Sequence, residues 1–410
     1  MKTFIGFDEA LELTLANVSA GAAAELPLAQ LTGKILAEDI IAKVDSPSST
    51  SSRKDGFAVV STDLAGASAE NPVELKVVGQ LAAGDRVNLQ MAQGQVVRVT
   101  TGAPIPEGAD AVLSEEFCDA TADTITARGV AEEGRNLLKQ GTDIQQGQRV
   151  AAKGEKLSPA LIGLLASAGW DRASVYQLPK VAVIASGNEV VAPGKPLSDG
   201  KLYASNMVEI GSWLTSYGIA YSAELVTDNA SKIQSAISSR LSEADVFITS
   251  GGAWGSEHDL MLAVVEKMGW QGIYRRVRMG PGKPVGFGLL EQKPFFILPG
   301  GPPSNEMAFL QLALPAIMKM KGDAAFSFPV IRAQLAETVR GHKDWTQFIH
   351  ARLKADKHQL IVKPAKLKSR LISMARKDAL IVIPEGWEEW IANEIIDIQL
   401  LNPDFNYWRK

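Results

Sequence analysis

One stretch of the chain, from Val246 to Pro303, narrows the possible folds more than any other. An apolar run, Val246-Phe247-Ile248, opens into Thr249-Ser250-Gly251-Gly252, and a carboxylate, Asp259, follows seven residues on. Two proline-glycine loops come next, Pro281-Gly282-Lys283-Pro284 and Leu298-Pro299-Gly300-Gly301-Pro302-Pro303, each beside a short apolar run. Loops of this kind at strand ends are what an open α/β sheet uses to build a ligand crevice. Glycine lets backbone N–H groups approach an anion closely, and proline sets the loop before the ligand arrives. The pattern points first to a phosphate-bearing small molecule.

The segments around this stretch support an α/β multidomain chain. From Lys180 strands and helices alternate: Val181 to Ile184 reads as a buried strand, Asn206 to Tyr217 as a helix ended by Gly218, Asn229 to Leu241 as a second helix, and Val246 to Thr249 as the next strand. Such alternation predicts right-handed crossovers and a mostly parallel sheet. From Phe57 to about Gln148 the pattern turns to short alternating runs, a β-rich insertion. Ser158-Pro159 supplies a cap and first-turn proline for a helix through about Ser167, closed by Gly169. After Gly322 the runs Gln347 to Leu353, Leu360 to Val362 and Ala379 to Ile383 predict a C-terminal β domain. Near the N-terminus, Phe7 to Asn17 is helical in period and a second helix-like run ends at Gly33. The polar segment Asp45 to Ser52 reads as a mobile loop or domain crossing.

Composition excludes several classes. A formal charge of −4 and no long Lys/Arg block give no general affinity for nucleic acid. One cysteine, Cys118, rules out an internal disulfide framework, fits a reducing compartment, and reads as a small buried hydrophobe. No Cys/His cluster has zinc-ligand spacing. The N-terminus turns acidic too early for a signal peptide, and the apolar run Met307 to Met318, interrupted by Pro315, is too short for a bilayer. The expectation is a cytoplasmic protein with no membrane or nucleic-acid partner.

The candidate chemistry lies on polar turns. Ser186-Gly187-Asn188-Glu189 presents a carboxylate beyond the Val181 strand. Asp228 precedes a helix and reads either as its cap or as a ligand, and Asp259 shares that ambiguity. Glu189, Asp228 and Asp259 all fall where the crevice is expected, and together they could hold a divalent cation, which favours carboxylate oxygens. Lys283 offers one ammonium in a rigid turn. His258 is a weaker acid–base candidate, with no nucleophile nearby in sequence. In the β-rich region, Arg53-Lys54-Asp55-Gly56 and Thr100-Thr101-Gly102-Ala103-Pro104 are polar turns, and Asp143 resembles an ordinary β-turn acid.

Taken in order, these segments resemble the molybdopterin molybdenumtransferase family, which also includes the C-terminal domain of gephyrin. The matches are Asp55-Gly56-Phe57-Ala58, Thr101-Gly102-Ala103-Pro104, Gly141-Thr142-Asp143-Ile144, Ser186-Gly187-Asn188-Glu189, Asp228, Ser250-Gly251-Gly252 through Asp259, Pro281-Gly282-Lys283-Pro284 and Leu298-Pro299-Gly300-Gly301-Pro302. The resemblance covers essentially the whole chain. It implies four regions: an N-terminal helix and connecting domain (1–45 and 146–178), a β-rich domain (46–145), a molybdopterin-binding three-layer α/β domain (179–322) and a C-terminal β barrel (323–410).

It also implies an elongated homodimer in which the Asp55 and Thr101 loops face the α/β crevice of the partner chain. The implied reaction takes adenylylated molybdopterin and molybdate, inserts the metal into the dithiolene and releases AMP, assisted by Mg²⁺ or a similar cation. By position, Asp259, Glu189, Asp228 and Asp55 would be catalytic, with Glu189, Asp228 and Asp259 holding the cation. Thr101, Asp143, Ser250, Gly251, Gly252, Pro281, Lys283, Pro299 and Pro302 would bind substrate. The adenylyltransferase acting upstream is an implied partner.

The chain departs from the family pattern at several places. Asn188 stands for a usual Asp, Gly301 for a usual Asn, Ser256 for a usual Gly and Lys54 for a usual Met. Leu137-Leu138-Lys139-Gln140 lies where relatives are often arginine-rich. Two other readings fit these departures: a non-catalytic paralogue that carries or scaffolds molybdopterin, and an enzyme that uses tungstate.

Overall fold

The computed structural model describes residues 1–251, 260–356, 359–365 and 369–401. The chain forms two compact units, Met1–Ala23 with Tyr176–Lys410, and Ala24–Val175.

In the first unit the strand Val181–Ser186 is buried at every position. A run apolar throughout is what a parallel strand covered on both faces requires. Val181 and Val183 join one core with Ile210 and Leu214 of helix Ser205–Ser216. Ala182 and Ile184 join the other with Ile233 and Ile237 of helix Ala230–Ser238. The strands Tyr221–Val226, Val181–Ser186, Val246–Ser250 and Lys293–Leu298 lie side by side and parallel. Gly286–Leu290 and then Gln271–Gly280 each add antiparallel to their neighbour. The chain leaves Val181–Ser186 for one neighbour and later crosses to the other, so this strand is the topological switch point, where an open sheet leaves a crevice.

The N-terminal strand Lys2–Gly6 pairs parallel with Gln271–Gly280, an addition not expected from its sequence. Helix Phe7–Ala16 follows as expected, and its Thr14 hydroxyl meets the buried Tyr274 hydroxyl at 2.7 Å. Helix Pro302–Ala308 runs through a π turn, Phe309–Ala313, into helix Leu314–Met320. The wide turn lets the helix resume with Pro315 in its first turn, where a missing N–H costs little. No helix among the described residues is long and apolar enough to cross a membrane.

The C-terminal strands close on themselves. Thr346–Asp356 pairs with Gln359–Pro364 and also with Ala379–Ile383. Val330–Leu335 and Ile395–Leu400 complete the ring around a core that includes Leu335, Val362, Ile381 and Ile398. This is the expected barrel-like sheet.

The second unit holds a six-stranded sheet in the order Ala111–Ser114, Gly56–Val59, Gln95–Val99, Val73–Leu81, Thr124–Ala127 and Cys118–Ala120, with an apolar cluster on each face. Helix Pro159–Ser167 starts as its sequence predicts, the Ser158 hydroxyl accepting from the Leu161 N–H. One expectation fails here. The helix-like run ending at Gly33 is instead a strand, Ala23–Pro27, followed by a single turn, Leu28–Gln30. Its side chains alternate between exposed and half-buried, a two-residue period that overrides helix propensity. The serine-rich segment, read as a mobile loop or a domain crossing, makes defined backbone contacts. Ser51–Ser52 pairs with Leu137–Leu138, and the Ser52 hydroxyl donates to the Lys54 carbonyl at 2.6 Å. Small hydroxyl side chains satisfy nearby backbone groups and let Ser51 and Ser52 bury at its end.

Candidate functional site

The parallel register brings three loops together in the first unit. Ala185 lies opposite Ser250, and Ser250 opposite Leu298, so the chain emerges at Ser186, Gly251 and Pro299 along one edge of the sheet. A side chain at Gly251 would collide with the Ser186 carbonyl oxygen, and its φ of 111° is one that glycine adopts without penalty. The close approach of these two loops therefore requires glycine.

A cavity of ≈ 430 Å³ opens beyond these strand ends, within the range of small-molecule sites. Its apolar walls include Leu202, Tyr203 and Met207, while Ser186, Glu189 and Ser250 supply polar groups. Gly251 and Pro302 also line it, as does Leu371 from the C-terminal segment. Such a space suits a flat, partly apolar ring with a polar rim.

Two asparagines that the sequence reading passed over set the shape of the loops. Asn206 donates through Nδ2 to Ser250 Oγ at 3.2 Å and to the Gly300 carbonyl at 2.9 Å. Asn305 donates through Nδ2 to the same Ser250 Oγ at 3.0 Å and to the Pro299 carbonyl at 2.8 Å. Ser250 thus accepts two amide hydrogens, and its own hydroxyl proton remains for donation. The amide orientation of Asn206 follows from the Gly300 carbonyl, which only accepts. No local pattern marks these residues, because their partners lie 44 to 94 positions away or on the loop preceding a helix.

Glu189 lines the cavity at the end of the Ser186–Glu189 turn. Its neighbour Asn188 makes a two-way pair with Asp228: the Asn188 N–H donates to Asp228 Oδ2 at 3.0 Å, and the Asp228 N–H donates to Asn188 Oδ1 at 3.1 Å. Lys201 closes the turn from the other side, Nζ donating to the Asn188 carbonyl at 2.6 Å. Asp228 is not the helix cap. That role falls to Asn229, whose Oδ1 accepts from the Lys232 N–H. Glu189 and Asp228 therefore sit on adjoining, mutually bonded turns. Gly252, Ser256, His258 and Asp259 lie outside the described residues, and among the described residues no three His, Cys, Asp or Glu side chains gather as metal ligands.

The Pro281-Gly282-Lys283-Pro284 loop does not contribute to the cavity lining. Lys283 instead places its Nζ 5.3 Å from the Phe4 ring centroid and 5.0 Å from that of Trp345. Pro281 begins that loop, half-buried. Pro299 acts through its carbonyl, and Pro302 opens the helix at the cavity's rim.

The second unit carries its own polar pair. Asp55 Oδ1 accepts from the Thr101 N–H at 2.7 Å and from the Thr101 hydroxyl at 3.1 Å. The N–H bond first, then the hydroxyl, holds the Asp55 carboxyl below the usual carboxylate range. Gly56 is required beside it, because a side chain there would strike the Leu113 carbonyl. Asp143 sits on an exposed turn, its N–H donating to the Ser46 carbonyl at 2.9 Å. Cys118, expected as a small buried hydrophobe, is only half-buried; burial pushes its thiol up, and the Glu115 and Asp119 carboxylates add to the effect.

Three family models cover the chain in order. The "MoeA N-terminal region (domain I and II)" matches residues 5–169, the "Probable molybdopterin binding domain" matches 182–319, and the "MoeA C-terminal region (domain IV)" matches 332–401. The cavity and the turns that build it fall almost wholly in the second match. A molybdopterin molybdenumtransferase of Staphylococcus epidermidis is 32% identical over 371 residues, 90% of this chain and 88% of that protein. One of Haemophilus influenzae is 36% identical over 306 residues, 74% of each chain. The crystal structure of a molybdopterin biosynthesis moeA protein from Pyrococcus horikoshii superposes with a TM-score of 0.85 at 29% identity, covering 97% of this chain and 99% of that one. With a sequence match of this extent and a fold shared from end to end, the chain belongs to the molybdopterin molybdenumtransferase family.

Proposed function

We propose that this chain is a molybdopterin molybdenumtransferase that takes adenylylated molybdopterin and molybdate, delivers the metal to the dithiolene sulfurs and releases AMP. The observation that carries this reading is the switch-point cavity, built by Glu189, Ser250-Gly251 and Pro302 inside the region matched by the molybdopterin-binding family model. Its apolar walls suit the pterin ring, and the glycine-lined edge lets backbone N–H groups approach the substrate's phosphates. Molybdenum is held by the substrate's own sulfurs, so the site needs no Cys or His ligands. Catalysis on such a substrate is chiefly positioning: phosphoanhydride, oxyanion and sulfurs must be brought together, and rigid loops do this with little entropy lost on binding.

A magnesium-like cation fits the donor set. Glu189 and Asp228 supply hard carboxylate oxygens on adjoining turns, and the Asn188 N–H fixes the orientation of the Asp228 carboxylate. Asp259 would be the third ligand. Such an ion would offset the charge of the phosphates. The protein groups orient Asp228, present Glu189 to the cavity and hold Ser250 ready to donate a hydrogen bond.

The same reading makes the chain a cytoplasmic homodimer, with Asp55, Thr101 and Asp143 of one protomer completing the crevice of its partner. In this reading Lys283 and Pro281, outside the cavity lining, would meet the oxyanion or phosphate only where substrate extends past the cavity, and the upstream adenylyltransferase would hand over its product. It also divides the chain into four regions, 1–45 with 146–178, 46–145, 179–322 and 323–410.

The test is incubation with adenylylated molybdopterin and molybdate, measuring AMP and bound molybdenum. Stoichiometric AMP and metal incorporation are expected, both lost in Glu189→Ala. Tight pterin binding without AMP release would overturn the enzyme in favour of a carrier. Incorporation from tungstate alone would change the metal.

A further inference from the structure

Beneath the cavity lies a buried ionic cluster that neither the sequence motifs nor the reaction accounts for. Glu306, on the Pro302–Ala308 helix one turn past the rim residue Pro302, has a side chain fully removed from solvent. Its Oε2 lies 3.1 Å from His350 Nε2 on the barrel strand Thr346–Asp356, and its Oε1 receives the Lys377 ammonium. Lys377 also donates to the Met374 carbonyl at 2.8 Å, which ties it to the short helix Arg370–Ala375 that carries Leu371 into the cavity wall. A fourth group, Glu209, comes from helix Ser205–Ser216, one turn past Asn206, and hydrogen-bonds to Glu306.

We propose that Glu209, Glu306, His350 and Lys377 form a proton-sharing joint that positions the cavity wall, locking helix Ser205–Ser216 to helix Pro302–Ala308 and both to the C-terminal barrel. Two carboxyl groups in hydrogen-bond contact, Glu306 fully buried and Glu209 half-buried, cannot both ionise without strong repulsion. The charge belongs to Glu306: burial opposes its ionisation, but bonds from His350 and Glu209 and the Lys377 ammonium outweigh burial and hold its carboxyl below the usual range. The proton belongs to Glu209. Burial first, then the bond to Glu306 and its charge, raise the Glu209 carboxyl to about 8. The joint is thus one carboxylate, one carboxylic acid and one ammonium, with the imidazole as the fourth partner.

Among the described residues, few groups face Glu209. Glu306 approaches from one helix, Lys377 from the turn after another, and His350 stands behind Glu306. The adjacent Asp378 is turned away, accepting from the Leu353 N–H at 3.0 Å. Across the helix, the strand Tyr221–Val226 presents Tyr221 against Gly211. Asn206 and Pro302, each a turn from a joint carboxyl, are the residues through which the joint reaches the site. Glu209 and Glu306 are positioning residues, since neither lines the cavity.

Because the folded Glu209 carboxyl lies above its unfolded value, its contribution to stability is complete at acid pH and is lost as pH rises through about 8. Glu209→Gln keeps a neutral hydrogen-bond donor at every pH. In urea unfolding of the full chain, wild type is expected to lose stability from mildly acid to mildly alkaline pH, and Glu209→Gln to lose distinctly less. Identical slopes would overturn the joint. The link to the site rests on the function proposed above and has its own readout, molybdopterin affinity. In wild type this affinity falls by up to about tenfold per pH unit above the Glu209 transition, while in Glu209→Gln it stays level. In Glu209→Leu, which donates nothing, affinity is already reduced at neutral pH. Level affinity in wild type across that transition would overturn the positioning role. Failure of wild type to bind molybdopterin at any pH would instead sink the functional reading and leave the urea comparison to decide the joint.

Discussion

Asn188 and Asp228 hold each other by paired hydrogen bonds, backbone N–H to side-chain oxygen in both directions, at 3.0 and 3.1 Å. The amide at position 188 does what a carboxylate there could also do for the Asp228 N–H, but without placing a second negative charge beside Asp228. The pair therefore keeps the junction between the two turns while avoiding like-charge repulsion, and it offers a cation one carboxylate fewer. Asn188→Asp is expected to strengthen Mg²⁺ binding, measured by titration calorimetry, because it adds a hard oxygen ligand next to Glu189. Asn188→Ala is expected to lower AMP release roughly tenfold, about the value of one lost hydrogen bond in an orienting role. Equal Mg²⁺ affinity in wild type and Asn188→Asp would show that position 188 does not face the cation.

The Asp55–Thr101 contact yields a second prediction, readable in the second unit. Both bonds favour the ionised carboxylate, so the folded carboxyl lies below the usual carboxylate range. A depressed carboxyl adds stability above its unfolded value and loses that contribution as pH falls through the folded one. The Thr101 amide resonance should therefore titrate with a midpoint below that of an ordinary aspartate and lose its titration in Asp55→Asn. Asp55→Ala is expected to leave the fold intact, because the pair is exposed, while abolishing AMP release if the turn completes the partner's site. Unchanged turnover in Asp55→Ala would remove this turn from the reaction.

These two contacts also mark how far the sequence could be read. The strands at the switch point were legible because Val181 to Ser186 and Val246 to Ser250 are apolar on both faces, and the turn glycines announced themselves by their spacing. The helix at Ser158 was legible through its cap. Asn206, Asn305 and Glu306 were not, because a buried amide or carboxylate is intelligible only when its distant partner is known. Glu306 meets His350 and Lys377 across 44 and 71 positions. Leu371 reached the cavity from a region read only as a β domain. The strand Lys2–Gly6 escaped notice because its pairing partner is far along the chain, Lys2 lying opposite Tyr274.

Ser250 supports a third prediction. Ser250→Ala leaves one amide hydrogen of Asn206 and one of Asn305 without an acceptor in a site where Ser250 is only 4% exposed. Each buried donor left unpaired costs about 1–3 kcal/mol, so with two of them a total loss of roughly 2–6 kcal/mol is expected in urea unfolding. Asn305→Ala should cost markedly less in the Ser250→Ala background than in wild type, since the two share one bond. Additive losses would show that the Asn305 amide is held mainly by the Pro299 carbonyl.

Gly251 offers the strictest test of the loop geometry. Its φ of 111° lies where an L side chain is strained, and a Cβ would press on the Ser186 carbonyl, a backbone atom that can move only with its strand. Gly251→Ala is therefore expected to cost roughly 3 kcal/mol of stability, the backbone strain and the clash acting together. The two loops it separates both line the cavity, so the variant should also lose affinity for molybdopterin. Gly300→Ala is the matched control. It stands on the adjacent loop, and a Cβ there would find its nearest neighbour at 3.8 Å, an ordinary contact. A stable Gly251→Ala with full pterin affinity would mean that the Ser186 and Ser250 turns are farther apart in solution than the parallel register places them. If both variants fail alike, the site rejects any added methyl, and the specific approach of Gly251 to Ser186 is not what shapes it.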